Sequence, residues 1–348
     1  MSGPGLPRTR PTGANGMSGT LARCVALTLA IFLAGAAAAQ QAQPIEWTTI
    51  RADEVAKINS GLRPGVPTAD IVIYYPSNLD AEFVAFLPLD QVIAQFVAAK
   101  PIFLAAGVQL RLKWIRSGAI DPAHFEIQAN DISQDTPASR FVNMYEDSFR
   151  QGTNLSAEAS TAFESIIERD ADNHRTVYVV VLQNVFMTFF EPLDERTWEV
   201  RTLSTGGLSF PGYSYTSMDP RLRGVITLDK HSPVRSILAH ELGHKLLNVS
   251  HEYREVDPQH EVRAEGGLML YGSGTDIPSG AEGRWHRERL QMSPFLYRED
   301  RGGRKQWNAG YREGGHYYDP LYGDRVSRFR PAPPRPPTPP GQGATSSR

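Results

Sequence analysis

Cysteine is almost missing from this 348-residue chain: it has one, Cys24. A disulfide framework is therefore excluded. An excess of either charge is missing as well, since 36 Lys and Arg face 38 Asp and Glu, for a net charge of −2. Proteins that hold nucleic acid through bulk charge need a basic surplus, so the balance argues against this class and no nucleic-acid partner is expected. Apolar runs long enough for repeated membrane crossing are also missing, and a mean hydropathy of −0.35 agrees with that.

The one long apolar run is residues 24–39, CVALTLAIFLAGAAAA, 16 residues without a charge. Arg23 precedes it and Ala37-Ala38-Ala39 closes it with small side chains. Basic flank, apolar stretch and small-residue end form the pattern of a secretory signal. The run falls short of the ~20 apolar residues that a spanning helix needs. The expected mature chain begins near Gln40, is exported to the periplasm or the medium, and keeps no membrane span. It also keeps no cysteine, which excludes thiol catalysis. Cys24 opens the run, whereas a lipid-bearing cysteine would follow it.

What is present is the composition of a globular protein, 41% hydrophobic and 21% charged, long enough for a large core. Residues 71–75, IVIYY, read as a buried strand ended by Pro76. Residues 89–99 carry apolar side chains at helical spacing, Val92, Ile93, Phe96 and Val97. VQLRLKWI at 108–115 alternates as a half-buried strand. Residues 157–169 read as a helix, and TVYVVVLQNV at 176–185 as the strongest strand. Strands follow at 206–210 and 224–228, then a helix from Ser232. This order predicts an α/β (α+β) layered domain. The expected organisation is an N-terminal extension and signal at 1–39, a linker or short pro-segment at 40–67, a catalytic domain at 68–300, an Arg- and aromatic-rich segment at 301–330, and a Pro-rich disordered tail at 331–348.

The last helix carries His240-Glu241-Leu242-Gly243-His244, an HExxH sequence. Ser232 and Pro233 supply an N-cap and first-turn pair, and Ile237, Leu238 and Leu242 an apolar stripe. On a helix, residues four apart differ by about 40° and rise about 6 Å, so both imidazoles share one face and can hold one ion. Glu241, about 100° round the helix, flanks the metal as a general base acting on water. A catalytic zinc usually has three protein ligands. His251 is the candidate third, but along a continuous helix it would lie about 10.5 Å beyond His244. The helix must therefore end and turn back. Asn248 is expected to close it in a left-handed conformation. Glu265 and Glu261 compete for the third position. His260 and His286 are other possible ligands, read by default as surface histidines. Further on, Gly267-Leu268-Met269-Leu270-Tyr271-Gly272 places an apolar Met in a Gly-flanked turn.

Together these residues resemble the metzincin clan of zinc metallopeptidases, whose pattern is HExxHxxGxxH followed by a Met-turn. The resemblance spans about residues 70–294. It implies a zincin domain: a twisted mixed sheet, an active-site helix and a smaller C-terminal subdomain. It also implies zinc on His240, His244 and His251, Glu241 as general base, Met269 as an apolar platform, and Tyr271 near the metal or the oxyanion. The chain departs from the pattern by one residue. Leu247 stands at the Gly place, and His251 is seven residues after His244 instead of six.

The expected function is a secreted zinc endopeptidase acting on a peptide or protein substrate. The substrate would pair with an edge strand supplied by residues 206–210, and specificity would lie in residues 272–294. Two alternatives stay open: a gluzincin-like peptidase using a downstream glutamate, and a secreted binding module on a zincin scaffold.

Overall fold

A computed structural model of the chain describes residues 44–129, 155–169, 175–192, 198–209, 219–232, 236–248, 267–269, 275–280, 283–308, 316–317 and 327–328. The chain divides into two units, Met1–Pro44 and Ile45–Arg348, and every element below belongs to the second. In chain order the elements are β1 (Thr48–Ile50), α1 (Ala52–Asn59), β2 (Thr68–Pro76), α2 (Leu79–Glu82), α3 (Leu89–Ala105), β3 (Gln109–Gly118) and β4 (Glu126–Gln128). Then come α4 (Ala157–Ile166), β5 (Val177–Val181), β6 (Asn184–Pro192), β7 (Trp198–Thr205), β8 (Gly207–Ser209) and β9 (Val225–Leu228). The remainder are α5 (Ile237–Gly243), α6 (Arg284–Gln291), β10 (Leu296–Glu299), β11 (Lys305–Trp307), β12 (His316–Tyr317) and β13 (Ser327–Arg328).

The architecture is mixed α/β. An eight-stranded sheet runs in the order β1-β3-β2-β5-β9-β8, with β10 added to β2 and β11 to β10. β3, β2, β5 and β9 are parallel neighbours, while β1, β8 and β10 join antiparallel. The central strands explain this mixture. β5 and β9 are buried at every position and β2 at all but Tyr75. Strands covered on both faces read as continuous Val/Ile runs, as these do. Burial of such side chains stabilises by about 25 cal/mol per Å² of apolar area removed from water.

The helices follow from the same chemistry. Ser156 caps α4, its hydroxyl accepting from the Ala159 N–H at 2.9 Å. α3 buries Val92, Ile93, Phe96, Ala99 and Phe103 and packs against β3 and α5. It continues through Pro101 to Ala105, beyond the expected end at 99. The segment 40–67, expected as a linker or short pro-segment, contains β1 and α1; β1 pairs with β3. β11 lies beyond residue 300 and pairs with β10.

The apolar run at 176–185 does not make one strand. β5 ends at Val181, and β6 starts at Asn184 in a separate sheet ordered β4-β6-β7. The break is made from a distance: the N–H groups of Gln183 and Asn184 both donate to the Phe125 carbonyl, at 2.8 and 3.2 Å. Buried Gln183 also donates to the Ala85 carbonyl. The β6–β7 hairpin has no counterpart in the sequence reading. Among the described residues no helix is long and apolar enough to cross a membrane.

Candidate metal centre

Helix α5 follows β9 and packs on β8 and β9. Its start differs from the expected Ser232-Pro233 cap. Helical geometry is described from Ile237, with Ser236 at the capping position and no side-chain bond there. Ser232 instead closes a turn on Asp229, donating its N–H to the Asp229 carbonyl and accepting the Asp229 N–H at its hydroxyl. A short hydroxyl held in a local turn is not available to cap a helix that starts later. The job falls to Gln95 of α3. Its Oε1 accepts the Leu238 N–H at 3.3 Å and its Nε2 donates to the Ser232 carbonyl at 2.6 Å. One of the open N–H groups at the helix start is thereby satisfied by a residue 143 positions away.

His240 and Glu241 of α5 and His244, the residue that follows it, bring their ligand atoms within 4.8 Å of one another. The two imidazoles stand 4.7 Å apart between ring centroids, at 86°. His240 Nδ1 donates to the Leu268 carbonyl at 2.7 Å. Because a carbonyl only accepts, this bond fixes the tautomer and leaves the lone pair on Nε2, as a metal-ligating histidine requires. Burial pushes the His240 imidazolium down, and the Leu268 carbonyl acts the other way. The neutral form a metal needs is thus favoured. The group is therefore one that can hold a metal ion, with donors suited to it.

Glu241 and Lys245 lie one turn apart and both are buried. Burial holds the Glu241 carboxyl above the ordinary carboxylate range, with Lys245 acting against that rise. Burial also pushes the Lys245 ammonium down, and Glu241 opposes this. Lys245 Nζ donates to the Arg223 carbonyl at 2.9 Å.

Met269 is fully buried. A β-carbon placed on Gly243 would lie 2.4 Å from Met269 Sδ and 3.1 Å from Leu268 Cδ2. The bare Gly243 between Leu242 and His244 therefore lets the turn at Gly267–Met269 press on the helix beside both histidines.

Beyond α5 the chain makes a π-helical turn, His244–Asn248. The left-handed closure expected at Asn248 is not found: among the described residues Arg51 is the one non-glycine residue with positive φ. Asn248 instead continues the wider π turn. Helix α6 packs against this turn, and Arg289 Nε donates to the Leu247 carbonyl at 2.9 Å. His286, expected at the surface, is fully buried in α6. His251, Tyr271, His260, Glu261 and Glu265 lie outside the described residues. So do the signal region and the Pro-rich tail.

β8 lies at the end of the strand order, where an edge was expected. Residues that the sequence reading missed are Gln95 and Lys245, while Gly207 was read only as part of the 206–210 edge strand. Gln95 carried a signal, an amide amid the apolar stripe of α3. Compared with known protein families the chain matches none, and no curated protein matches it.

Proposed function

We propose that the chain is an exported, metzincin-like zinc endopeptidase. The observation that carries this reading is the convergence of His240, Glu241 and His244 on one helix, with His240 oriented by the Leu268 carbonyl and Met269 set against Gly243. Two imidazoles with a neighbouring carboxylate and no thiolate suit a hydrolytic zinc.

His240 and His244 would hold the metal, with His251 as third ligand. The π turn supports that choice. A π turn holds one residue more than an α turn. His251 stands one residue later than the metzincin spacing requires, and a π turn at His244–Asn248 takes up one residue. Glu265 or Glu261 in that position would instead make the site gluzincin-like.

Bound zinc supplies Lewis-acid activation of water and of a substrate carbonyl. The remaining work belongs to the chain. Glu241 takes the proton from the attacking water and returns it to the leaving amine, a role suited to a carboxyl whose basicity is raised by burial. Tyr271, by resemblance, would donate to the oxyanion. An extended substrate would add to the β8 edge through main-chain hydrogen bonds.

The test is hydrolysis of casein by purified protein, with and without a chelator. Hydrolysis that chelation abolishes and zinc restores is the expected result. Hydrolysis indifferent to chelation, or its absence in zinc-replete protein, would overturn the reading.

A further inference from the structure

We propose that Gly207 of β8 is a positioning residue for Glu241: its missing side chain makes the space in which the Glu241 carboxyl is held. This inference rests on the reading of Glu241 as the general base. A β-carbon placed on Gly207 would lie 2.9 Å from Glu241 Cγ, 2.9 Å from Ile237 Cγ2 and 3.1 Å from Glu241 Oε1. The first two are closer than real β-carbons approach other atoms. The strand therefore lies flush on the face of α5 that carries Ile237 and Glu241, four residues apart and so on one side of the helix.

The glycine is there for space and not for its backbone. Among the described residues the glycines with positive φ are Gly65, Gly107, Gly267 and Gly303, so Gly207 has a conformation that any residue adopts. Its neighbour Gly206 makes a separate close approach, chiefly to main chain. A β-carbon there would lie 2.6 Å from the His231 carbonyl oxygen.

The consequence is mechanical. The spacing of HExxH places the Glu241 backbone, but the direction of its carboxyl is limited from outside the motif by the wall that β8 presents. Glu241 is 6% exposed and cannot swing into solvent without leaving the site. A side chain at 207 would force its Cγ away from the strand. A general base must stand within about 2.6–3.2 Å of the proton it takes, and a misplacement of ~1 Å costs on the order of 10²-fold in rate.

The test is Gly207→Ala in the full chain, with Gly61→Ala as control. A β-carbon at Gly61 would meet nothing within 4 Å. For Gly207→Ala the expected result is a loss of about 10–100-fold in kcat, with KM and zinc affinity, read by competition with a chromophoric chelator, both unchanged. A crystal structure of the variant should show the Glu241 carboxyl displaced and both imidazoles in place. Unchanged kcat, or an unmoved Glu241, would overturn the proposal. A loss that Ile237→Ala restores would also overturn it, because the effect would then run through helix packing. Should Gly207→Ala fail to fold, Gly207→Ala/Ile237→Ala relieves the contact with Ile237, keeps the contact with Glu241, and carries the same readings. If wild-type protein binds zinc but hydrolyses nothing, the endopeptidase reading falls by itself, and the position of Glu241 in the variant still decides the role of Gly207.

Discussion

Asp70 and Glu241 are both buried carboxyl groups, and their surroundings drive them in opposite directions. Asp70 sits on β2 with no exposure. Burial alone would raise its pKa, but Arg111 and Lys305 more than reverse this and hold it below the usual carboxylate value. Arg111 reaches both Asp70 oxygens, at 2.7 and 2.9 Å. Tyr297 donates its hydroxyl at 2.7 Å and Lys305 adds its ammonium at 2.8 Å. Glu241, on α5, faces Lys245 one turn away, and there burial prevails. The difference separates two uses of a buried acid. A carboxylate matched by hydrogen-bonded cations joins elements, here β2 and β3 to the β10–β11 hairpin. The other carboxyl, raised by burial and set between two histidines, is the one proposed to move a proton.

The sharpest way to break this contrast is to neutralise each acid. Glu241→Gln should retain zinc, fold as well as wild type, and lose hydrolysis by about 10²–10⁴-fold. Asp70→Asn should do the reverse. It leaves Arg111 and Lys305 facing a neutral group and should cost about 3–5 kcal/mol in denaturant unfolding, while the protein that stays folded keeps wild-type activity. If Asp70→Asn abolished turnover without loss of stability, the division between a structural and a chemical acid would be wrong.

Asp229 sharpens the comparison as an intermediate case. It has no exposure and accepts the backbone N–H groups of His231 and Val185, at 2.8 and 3.2 Å. Burial pushes it up to about 6, with those N–H groups opposing the rise. A carboxyl raised above its unfolded value contributes stability that is present below about pH 4 and is lost as pH rises through about 6. The loss is on the order of 3 kcal/mol. Unfolding free energy measured between pH 4 and 7 should therefore fall less steeply in Asp229→Asn than in wild type. Equal slopes would show that burial does not govern this group.

The smallest expected effect is at Gln95. Gln95→Ala leaves the Leu238 N–H and the Ser232 carbonyl without their partner and should cost about 1–3 kcal/mol. Zinc affinity should weaken alongside if this bond sets where α5 begins. Chemical denaturation and chelator competition on the same variant check both.

What could be read from the sequence divides by distance along the chain. HExxH could be read because helix geometry alone places residues 240 and 244 on one face. β2, β5 and β9 could be read because strands buried on both faces are written as unbroken apolar runs. The break at Gln183 could not, since its hydrogen-bond partner is Phe125. Nor could the start of α5, because the group that satisfies its Leu238 N–H is on α3 and Ser232 is engaged by Asp229. Asp70 lies next to an apolar run with nothing nearby in sequence to show that Arg111, Tyr297 and Lys305 converge on it. The one-residue departure after His244 was visible as a count, but the π turn at His244–Asn248 was not.

The central claim is that His240 and His244 hold a zinc ion on which Glu241 acts. It is tested most directly by counting metal in purified protein. One zinc per chain is expected in wild type and in Glu241→Gln, with loss in His240→Ala and in His244→Ala. Stoichiometric zinc persisting in the His240→Ala/His244→Ala double variant would contradict it.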